Sequence, residues 1–237
     1  FYTTYLFSGP TEDLFEAVRK RSITDINRAI DSGADINGGN EWNTTPLMLA
    51  THFGAVSIMK ALLDKKADPN AINYRNETAL RIACQKNFVE GINLLIDSGA
   101  DVNEEDVNGA NLLMNYSDKH SGKTNELAII KILVERGANI NHQKEDGESV
   151  LMARVKDKEI FDYLISKNAN LNLRNKDGNT LLHISIENKD IELVKFLLEK
   201  GADVNVRNFT GDTPLMQAIY FDQKEMIQMI LEKKPDL

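Results

Sequence analysis

One short phrase recurs through this chain, and its spacing limits what the chain can fold into. The phrase consists of a glycine, a small residue, an acid or amide, an aliphatic residue and an asparagine, as in SGADIN, SGADVN, RGANIN and KGADVN. With weaker copies included, the glycine position is occupied by Gly33, Lys66, Gly99, Gly137, Asn168, Gly201 and Lys234, at spacings of 33, 33, 38, 31, 33 and 33 residues. This period predicts one structural repeat copied along the chain, and each copy must stack on its neighbours to bury its apolar face.

Residues 175–205 show the contents of one period. The pair Asp177-Gly178 is a turn signal, because glycine adopts positive φ without steric cost. Thr180 stands at the N-cap position of a short apolar segment, and a longer apolar segment follows over residues 191–198. Gly201 then predicts a left-handed end of the second helix. One repeat is therefore predicted to be turn, helix, break, helix and turn.

The start of the first helix carries a second motif, which appears as TPLMLA at 45–50, TALRIA at 78–83, TLLHIS at 180–185 and TPLMQA at 213–218. Together with the 33-residue period, these motifs resemble the ankyrin-repeat family over about residues 11–237. The resemblance implies an all-α repeat fold, an α-solenoid of about seven helix pairs with β-hairpin or turn fingers. We expect one domain over 11–237, with repeats ending near residues 37, 70, 103, 141, 172, 205 and 237. Residues 1–10 are interpreted as a tag remnant or leader tail.

Some positions depart from the family pattern. Early in each finger, where the family usually has aspartate, this chain has Asn40, Asn73, Asp106, Lys144, Asn175 and Asn208. We expect the amides to cap turns there. The helix starts at 111–116 and 149–154 lack the Thr-Pro pattern, which predicts that the middle repeats are the least regular. The polar segment Ser117–Glu126 is predicted to be the most mobile interior part.

Composition and charge narrow the classes of partner. The formal net charge is −8 and the pI about 5.1, so we expect no nucleic-acid partner. No apolar run reaches the ~18 residues of a membrane helix, so we expect no membrane insertion. The single cysteine fits a reducing compartment, and the chain is predicted to be a cytoplasmic monomer, in its own cell or a host cell.

The sequence contains no recognised catalytic motif. The four histidines lie in different repeats without zinc-ligand spacing, and the phosphate-loop, dinucleotide and serine-elbow motifs are absent from the sequence. We therefore expect no catalytic residue, no metal and no cofactor. The resemblance implies that His183 bonds backbone between repeats. Cys84 is interpreted as a packed thiol without a cationic neighbour.

Large residues stand at the positions that the repeat leaves free. The resemblance implies that finger tips and first-helix ends face a concave groove, where Trp and Tyr are typical of interface hot spots. The predicted partner-binding residues are Trp42, His52, Phe53, Tyr74, Arg75, Gln85, Lys86, Phe209, Tyr220 and Phe221. They form an early and a late cluster on either side of a more acidic middle, which favours a partner with a basic centre. The alternative is that Phe53 or Phe221 packs under an adjacent finger.

Two classes of function follow from this interpretation. The first is a non-catalytic scaffold that binds another protein through the concave finger and first-helix surface. The second is a substrate-recruiting ankyrin domain of a larger enzyme or effector, whose catalytic part is absent from these residues. The apolar last helix and the start at Phe1 keep the second class open. A narrower alternative is that repeat asparagines such as Asn205 are substrates of an asparaginyl hydroxylase.

Overall fold

The computed structural model describes residues 9–115 and 126–236, and within them the chain has fourteen helices and no strand. The helices follow one another in chain order as seven pairs, each with a first and a second helix, which confirms the predicted all-α repeat. Their bounds are α1 Pro10–Arg19, α2 Ile23–Asp31, α3 Pro46–His52, α4 Val56–Asp64, α5 Ala79–Gln85, α6 Val89–Asp97, α7 Leu112–Asn115, α8 Glu126–Glu135, α9 Val150–Ala153, α10 Lys158–Ser166, α11 Leu181–Glu187, α12 Ile191–Glu199, α13 Pro214–Tyr220 and α14 Lys224–Glu232.

The chain divides into two compact units. The first comprises Phe1–Val107 and Tyr116–Ala138, and the second comprises Asn108–Asn115 and Asn139–Leu237. Within the first unit α1, α3 and α5 pack side by side, and α4 packs on α6. Within the second unit α11 packs on α13, α12 on α14 and α7 on α9. First helices therefore stack on first helices and second helices on second helices, while a single domain over 11–237 stays a prediction.

Five of the first helices, α3, α5, α7, α9 and α13, begin at a side-chain cap. Thr45, Thr78 and Thr213 accept the backbone N–H three residues later at 3.1–3.3 Å, as the predicted helix starts require. The irregular repeats use other residues for the same purpose: Ser149 Oγ accepts from Met152 N at 3.3 Å, and Asn111 Oδ1 from Met114 N at 3.2 Å. The loss of the Thr-Pro pattern in the middle repeats thus leaves their helix caps in place.

The glycine position of the recurring phrase is a left-handed helix end in every repeat. Gly33, Gly99, Gly137 and Gly201 have φ between 84° and 94°, as predicted. The three non-glycine residues aligned with them adopt the same region, with φ of 71° at Lys66, 61° at Asn168 and 54° at Lys234. The weaker copies of the phrase therefore have the same backbone as the strong ones.

The acid or amide of the phrase and its asparagine make two successive hydrogen bonds. Within one phrase, Asp68 Oδ1 accepts the N–H of Asn70 at 2.8 Å. Between phrases, Asn70 Oδ1 accepts the N–H of Asp101 at 2.8 Å, which is the acid of the next repeat. The same bond between repeats joins Asn37 to Asp68, Asn141 to Asn170, Asn172 to Asp203 and Asn205 to Asp236. We call this series the asparagine ladder.

The core of the described residues is mostly apolar. Second helices bury residues such as Ile58, Ile92 and Leu197, which are 0% exposed. The last repeat keeps part of its apolar surface bare, because Ile219 is 58% and Leu231 45% exposed. Among the described residues, no helix is long and apolar enough to cross a membrane. The predicted mobile segment Ser117–Glu126 lies outside the described residues, apart from Glu126 itself.

The left-handed residues predict a gain in stability from one substitution. A left-handed conformation costs an L-residue roughly 1–2 kcal/mol, and glycine avoids that cost but loses about 0.5–1 kcal/mol of chain entropy. Lys66→Gly should therefore raise the free energy of unfolding by about 0.5–1 kcal/mol, measured by urea denaturation. The matched control is Gly99→Ala, whose added Cβ would meet nothing within 4 Å. It should destabilise through φ alone, and an increase in stability for Gly99→Ala would contradict this account.

Candidate functional site

Each finger is a tight loop held by the amide at its start. In finger 1, residues 40–44, Asn40 Oδ1 accepts the N–H groups of Trp42 and Thr44 at 2.9 and 3.0 Å. In finger 2, residues 73–77, Asn73 Oδ1 does the same for Arg75 and Glu77 at 2.8 and 3.0 Å. Fingers 175–179 and 208–212 repeat this geometry. The prediction that amides cap these turns is confirmed, and the fingers are turns without strands in the described ranges.

Neighbouring finger tips are joined through their backbones. The N–H of Tyr74 donates to the carbonyl of Trp42 at 3.1 Å. In the second compact unit, Phe209 N donates to Asp177 O at 3.0 Å. The aromatic residues at the tips are thus carried by backbone that is bonded within its own finger and to the adjacent one.

Six of the predicted partner-binding residues line one cavity in the first compact unit. Trp42 and Tyr74 come from the finger tips, and His52 and Lys86 come from the ends of α3 and α5. The cavity has a volume of about 700 Å³, and we call it the first groove. Its lining consists of Trp42, Thr44, Met48, Leu49, His52, Asn73, Tyr74, Arg75, Glu77, Ile82, Gln85 and Lys86.

The lining of the first groove combines exposed aromatic residues, aliphatic residues and two cations. Trp42 is 62% exposed and Tyr74 75%, so both rings are available to a partner. Arg75 and Lys86 are exposed beside them. The pKa of His52 is lowered, first by burial and then by the positive charge of Lys86. Below that pKa the imidazole would add a further positive charge to the groove.

Phe53 stands next to this groove. Its ring makes an edge-to-face contact with His52 at 5.9 Å between centroids, and 40% of the residue remains exposed. Its carbonyl accepts a hydrogen bond from Arg21 Nη2 at 3.0 Å. Phe53 therefore supports the orientation of His52 while part of its own surface stays open.

The late aromatic residues divide into two places in the second compact unit. Phe209, 70% exposed at a finger tip, lies against the guanidinium of Arg174, 4.9 Å from the ring centroid. Tyr220, 83% exposed, makes an edge-to-face contact with the half-buried Phe221 at 5.1 Å, where α13 ends. The recorded contacts thus pair Phe209 with a cation and Tyr220 with Phe221.

A second groove, of about 880 Å³, lies in the second compact unit and was not predicted from the sequence. Met152, Leu181 and Ile184 are among its apolar lining. Its charged lining residues are Lys144, Lys156, Lys176, Asp146, Glu148 and Asp190. Three lysines therefore balance three carboxylates, and the acidic character expected for the middle of the chain does not extend into this groove.

His183 is a structural histidine, as the resemblance implied. It is 0% exposed, and its Nδ1 accepts the N–H of Thr180 at 3.3 Å. Its Nε2 lies 3.2 Å from the carbonyl of Asp212, in the finger of the next repeat, which assigns the proton to Nε2. The pKa of His183 is lowered, mainly by burial. Nδ1 therefore caps the start of its own helix, and Nε2 links this repeat to the next one.

Cys84 is fully buried, which confirms the packed thiol. The expectation that it lacks a cationic neighbour was wrong, because Arg81 lies one turn earlier on α5. Arg81 Nε is 2.9 Å from Glu104 Oε1, and both side chains are less than one-tenth exposed. Burial raises the pKa of the Cys84 thiol strongly, the charge of Glu104 raises it further, and Arg81 opposes them. Burial and the neighbouring carboxylate therefore favour the protonated thiol.

Titratable side chains do not gather into a metal-binding group in the described residues. No cluster of three or more His, Cys, Asp or Glu side chains has a suitable arrangement there. The carboxylates of the repeated phrase, such as those of Asp35 and Asp101, instead accept the N–H of the asparagine two residues later. The exposed aromatic and cationic grooves are the chemical features that remain.

Comparison with known proteins agrees with this architecture. A family model described as ankyrin repeats in three copies matches residues 14–106 and 119–208, and one for many copies matches 186–231. A similar solved structure is the ankyrin repeat domain of Bcl-3, described as a unique member of the IκB protein family. It is 25% identical, with a TM-score of 0.74 over 92% of this chain and 97% of that one. None of the curated proteins matches the chain.

The buried imidazole predicts a loss of stability in acid. Because the pKa of His183 in the folded state lies below its ordinary value of 6.5, the unfolded chain takes up the proton first. The stabilising contribution is complete above 6.5 and decreases as the pH falls, by at most about 1.4 kcal/mol per pH unit. The measurement is urea denaturation from about pH 7.5 to about pH 5 for wild type and His183→Met.

Methionine is the matched replacement because Met48, Met152 and Met216 occupy the same place in their repeats. Met48 Sδ also lies 3.5 Å from the N–H of its own cap residue, Thr45, in the place of His183 Nδ1. The variant should lose stability less steeply in acid than wild type does. Equal slopes for the two proteins would show that His183 does not titrate in this way.

Proposed function

Since this chain belongs to the ankyrin-repeat family, we propose that it is a non-catalytic scaffold that binds a partner protein through the first groove. Ankyrin repeats are generally protein–protein interaction domains and are typically non-catalytic. The observation that carries the proposal is the presence of Trp42 and Tyr74, both largely exposed, in one cavity of about 700 Å³. Exposed aromatic residues at one site are typical of interface hot spots.

The backbone supports this use of the finger tips. Trp42 and Tyr74 sit on loops closed by the amides of Asn40 and Asn73, and the two tips share a backbone hydrogen bond. Loops that are already ordered lose little further freedom on binding. Apolar residues of the groove floor, Leu49 and Ile82, continue the surface inward. A partner side chain entering between the two aromatic rings would therefore be buried on several sides.

The late residues Phe209, Tyr220 and Phe221 belong to the proposal as a separate contact surface on the second compact unit. Tyr220 and Ile219 are exposed on the same short helix, α13. The substrate-recruiting alternative uses the same binding surfaces, because recruitment also requires a bound protein. We place the protein in a reducing compartment, the cytoplasm, where the buried thiol of Cys84 stays reduced.

The proposal predicts a local loss of affinity at Trp42. A partner captured on the wild-type protein and identified by mass spectrometry is titrated against single variants. Trp42→Ala should weaken binding by about 1 kcal/mol or more, with Tyr74→Ala next, because truncation removes a large apolar contact. The melting curve followed by circular dichroism should change little, since both side chains are mostly exposed.

Tyr220→Ala is the comparison variant, because Tyr220 is an exposed aromatic residue of the separate contact surface on the second compact unit. If Tyr220→Ala and Trp42→Ala weaken binding equally, the contact surface includes both units. Unchanged affinity for Trp42→Ala and Tyr74→Ala, with intact melting curves, would contradict the assignment of the first groove.

A further inference from the structure

We propose that the first groove takes an acidic segment of its partner, in which a carboxylate side chain stands beside an aromatic or aliphatic one. This inference rests on the proposed function, because it names the kind of partner that the groove accepts. The charged residues that line the groove favour this kind of segment, because its two cations are exposed and its carboxylate already accepts hydrogen bonds.

Two exposed cations line the groove, Arg75 on finger 2 and Lys86 at the end of α5. Glu77 is the only carboxylate among the lining residues, and neutral donors already occupy it. Glu77 Oε2 accepts from Asn73 Nδ2 at 2.9 Å, and Glu77 Oε1 accepts from Gln85 Nε2 at 3.4 Å. The ion pairs of the described residues include neither Arg75 nor Lys86. Both cations are therefore open to an anionic group of a partner.

The titration of His52 agrees with a positive potential in this groove. His52 lines the same cavity, and the charge of Lys86 contributes to the lowering of its pKa, after burial. A positive potential at the imidazole is also felt by any group that enters the cavity. It favours a carboxylate and disfavours a lysine or arginine side chain of the partner.

The net charge of −8 does not decide which charge on a partner the first groove prefers. Exposed charges farther apart than about 8 Å are largely screened at physiological salt. The repeated acids Asp35, Asp68 and Asp101 lie at the bases of the fingers, where each accepts a backbone N–H. Glu41 is exposed at the tip of finger 1 but is not among the residues that line the groove. The lining residues themselves therefore set the charge preference.

The exposed aromatic residues of the groove indicate which side chain should stand beside the carboxylate in the partner segment. Trp42 and Tyr74 are largely exposed, and Leu49 and Ile82 continue the apolar surface below them. An apolar side chain of the partner gains contact with these residues, while an adjacent carboxylate reaches Arg75 or Lys86. Arginine pairs with a carboxylate through two parallel hydrogen bonds, which adds geometric selectivity to the charge preference.

The test is a selection of displayed random peptides on three proteins. These are wild type, the charge-reversed variant Arg75→Glu/Lys86→Glu, and the control Lys156→Glu/Lys176→Glu, which reverses two lysines of the second groove. Asp and Glu next to aromatic or aliphatic residues should be enriched on wild type and on the control. The first-groove variant should lose this enrichment.

A synthetic peptide from the wild-type selection gives the size of the effect. One exposed ion pair contributes up to about 1 kcal/mol, a factor of about five, and charge reversal also adds repulsion. The peptide should bind Arg75→Glu/Lys86→Glu at least about tenfold more weakly than wild type, and the control within about twofold. Replacement of its acids by Asn and Gln should weaken binding to wild type. If the first-groove variant does not fold, Arg75→Gln/Lys86→Gln takes its place.

The outcomes separate this inference from the proposed function. Peptides that lose binding with Trp42→Ala but show no excess of acidic residues overturn the inference and leave the proposed function intact. Enrichment of basic residues among the peptides selected on the wild-type protein also overturns the inference. If no selected peptide depends on Trp42 or Tyr74, both the inference and the assignment of the first groove are wrong.

Discussion

One asparagine side chain in each of several repeats fixes the position of the next repeat. Its Oδ1 accepts the backbone N–H of the acid or amide that opens the same turn one repeat later, at 2.8–2.9 Å for Asn37, Asn70, Asn141, Asn172 and Asn205. A hydrogen bond within a protein contributes about 0.5–1.5 kcal/mol net, so its repetition from one repeat to the next is a reason for keeping asparagine in the phrase. The opening turn of the first repeat has a substitute, because Thr11 Oγ1 accepts from Asp35 N at 3.1 Å.

The ladder also explains why a groove can exist on the opposite end of each finger. The base of every finger is fixed by the phrase, and its tip is closed by an amide such as Asn40 or Asn73. In these fingers the tip residues Trp42 and Tyr74 contribute backbone hydrogen bonds, which do not depend on the kind of side chain, so large aromatic side chains are tolerated at the tips. Trp42 and Tyr74 are exposed because the backbone beneath them is already stabilised without their help.

Much of this architecture follows from the sequence, because its determinants are local. The period, the threonine caps and the left-handed glycines each depend on a few consecutive residues, and even Lys66 and Asn168 were aligned correctly with the glycines. Contacts between distant side chains were not predicted. The buried pair of Arg81 and Glu104 is an example, because the arginine occupies the histidine position of the helix motif and finds its partner 23 residues away.

At the candidate site, too, local positions follow from the sequence and contacts between distant residues do not. The alignment predicted which residues lie at finger tips and helix ends, but it could not predict that six of them share one cavity or that Glu77 accepts hydrogen bonds from Asn73 and Gln85. The second groove was missed because its lysines come from three separate segments. Charge summed over the chain, −8, was a poor guide to the charge inside either groove.

The most direct test of the central claim uses Trp42 itself, since it is the only tryptophan of the chain. Its fluorescence is recorded while a tryptophan-free partner segment is added, and the affinity is measured in parallel by calorimetry. The account predicts that the emission shifts to shorter wavelength as the indole leaves water, and that the shift saturates with the same Kd as the calorimetric titration. Saturating calorimetric binding with unchanged emission would contradict the claim that the first groove is the binding surface.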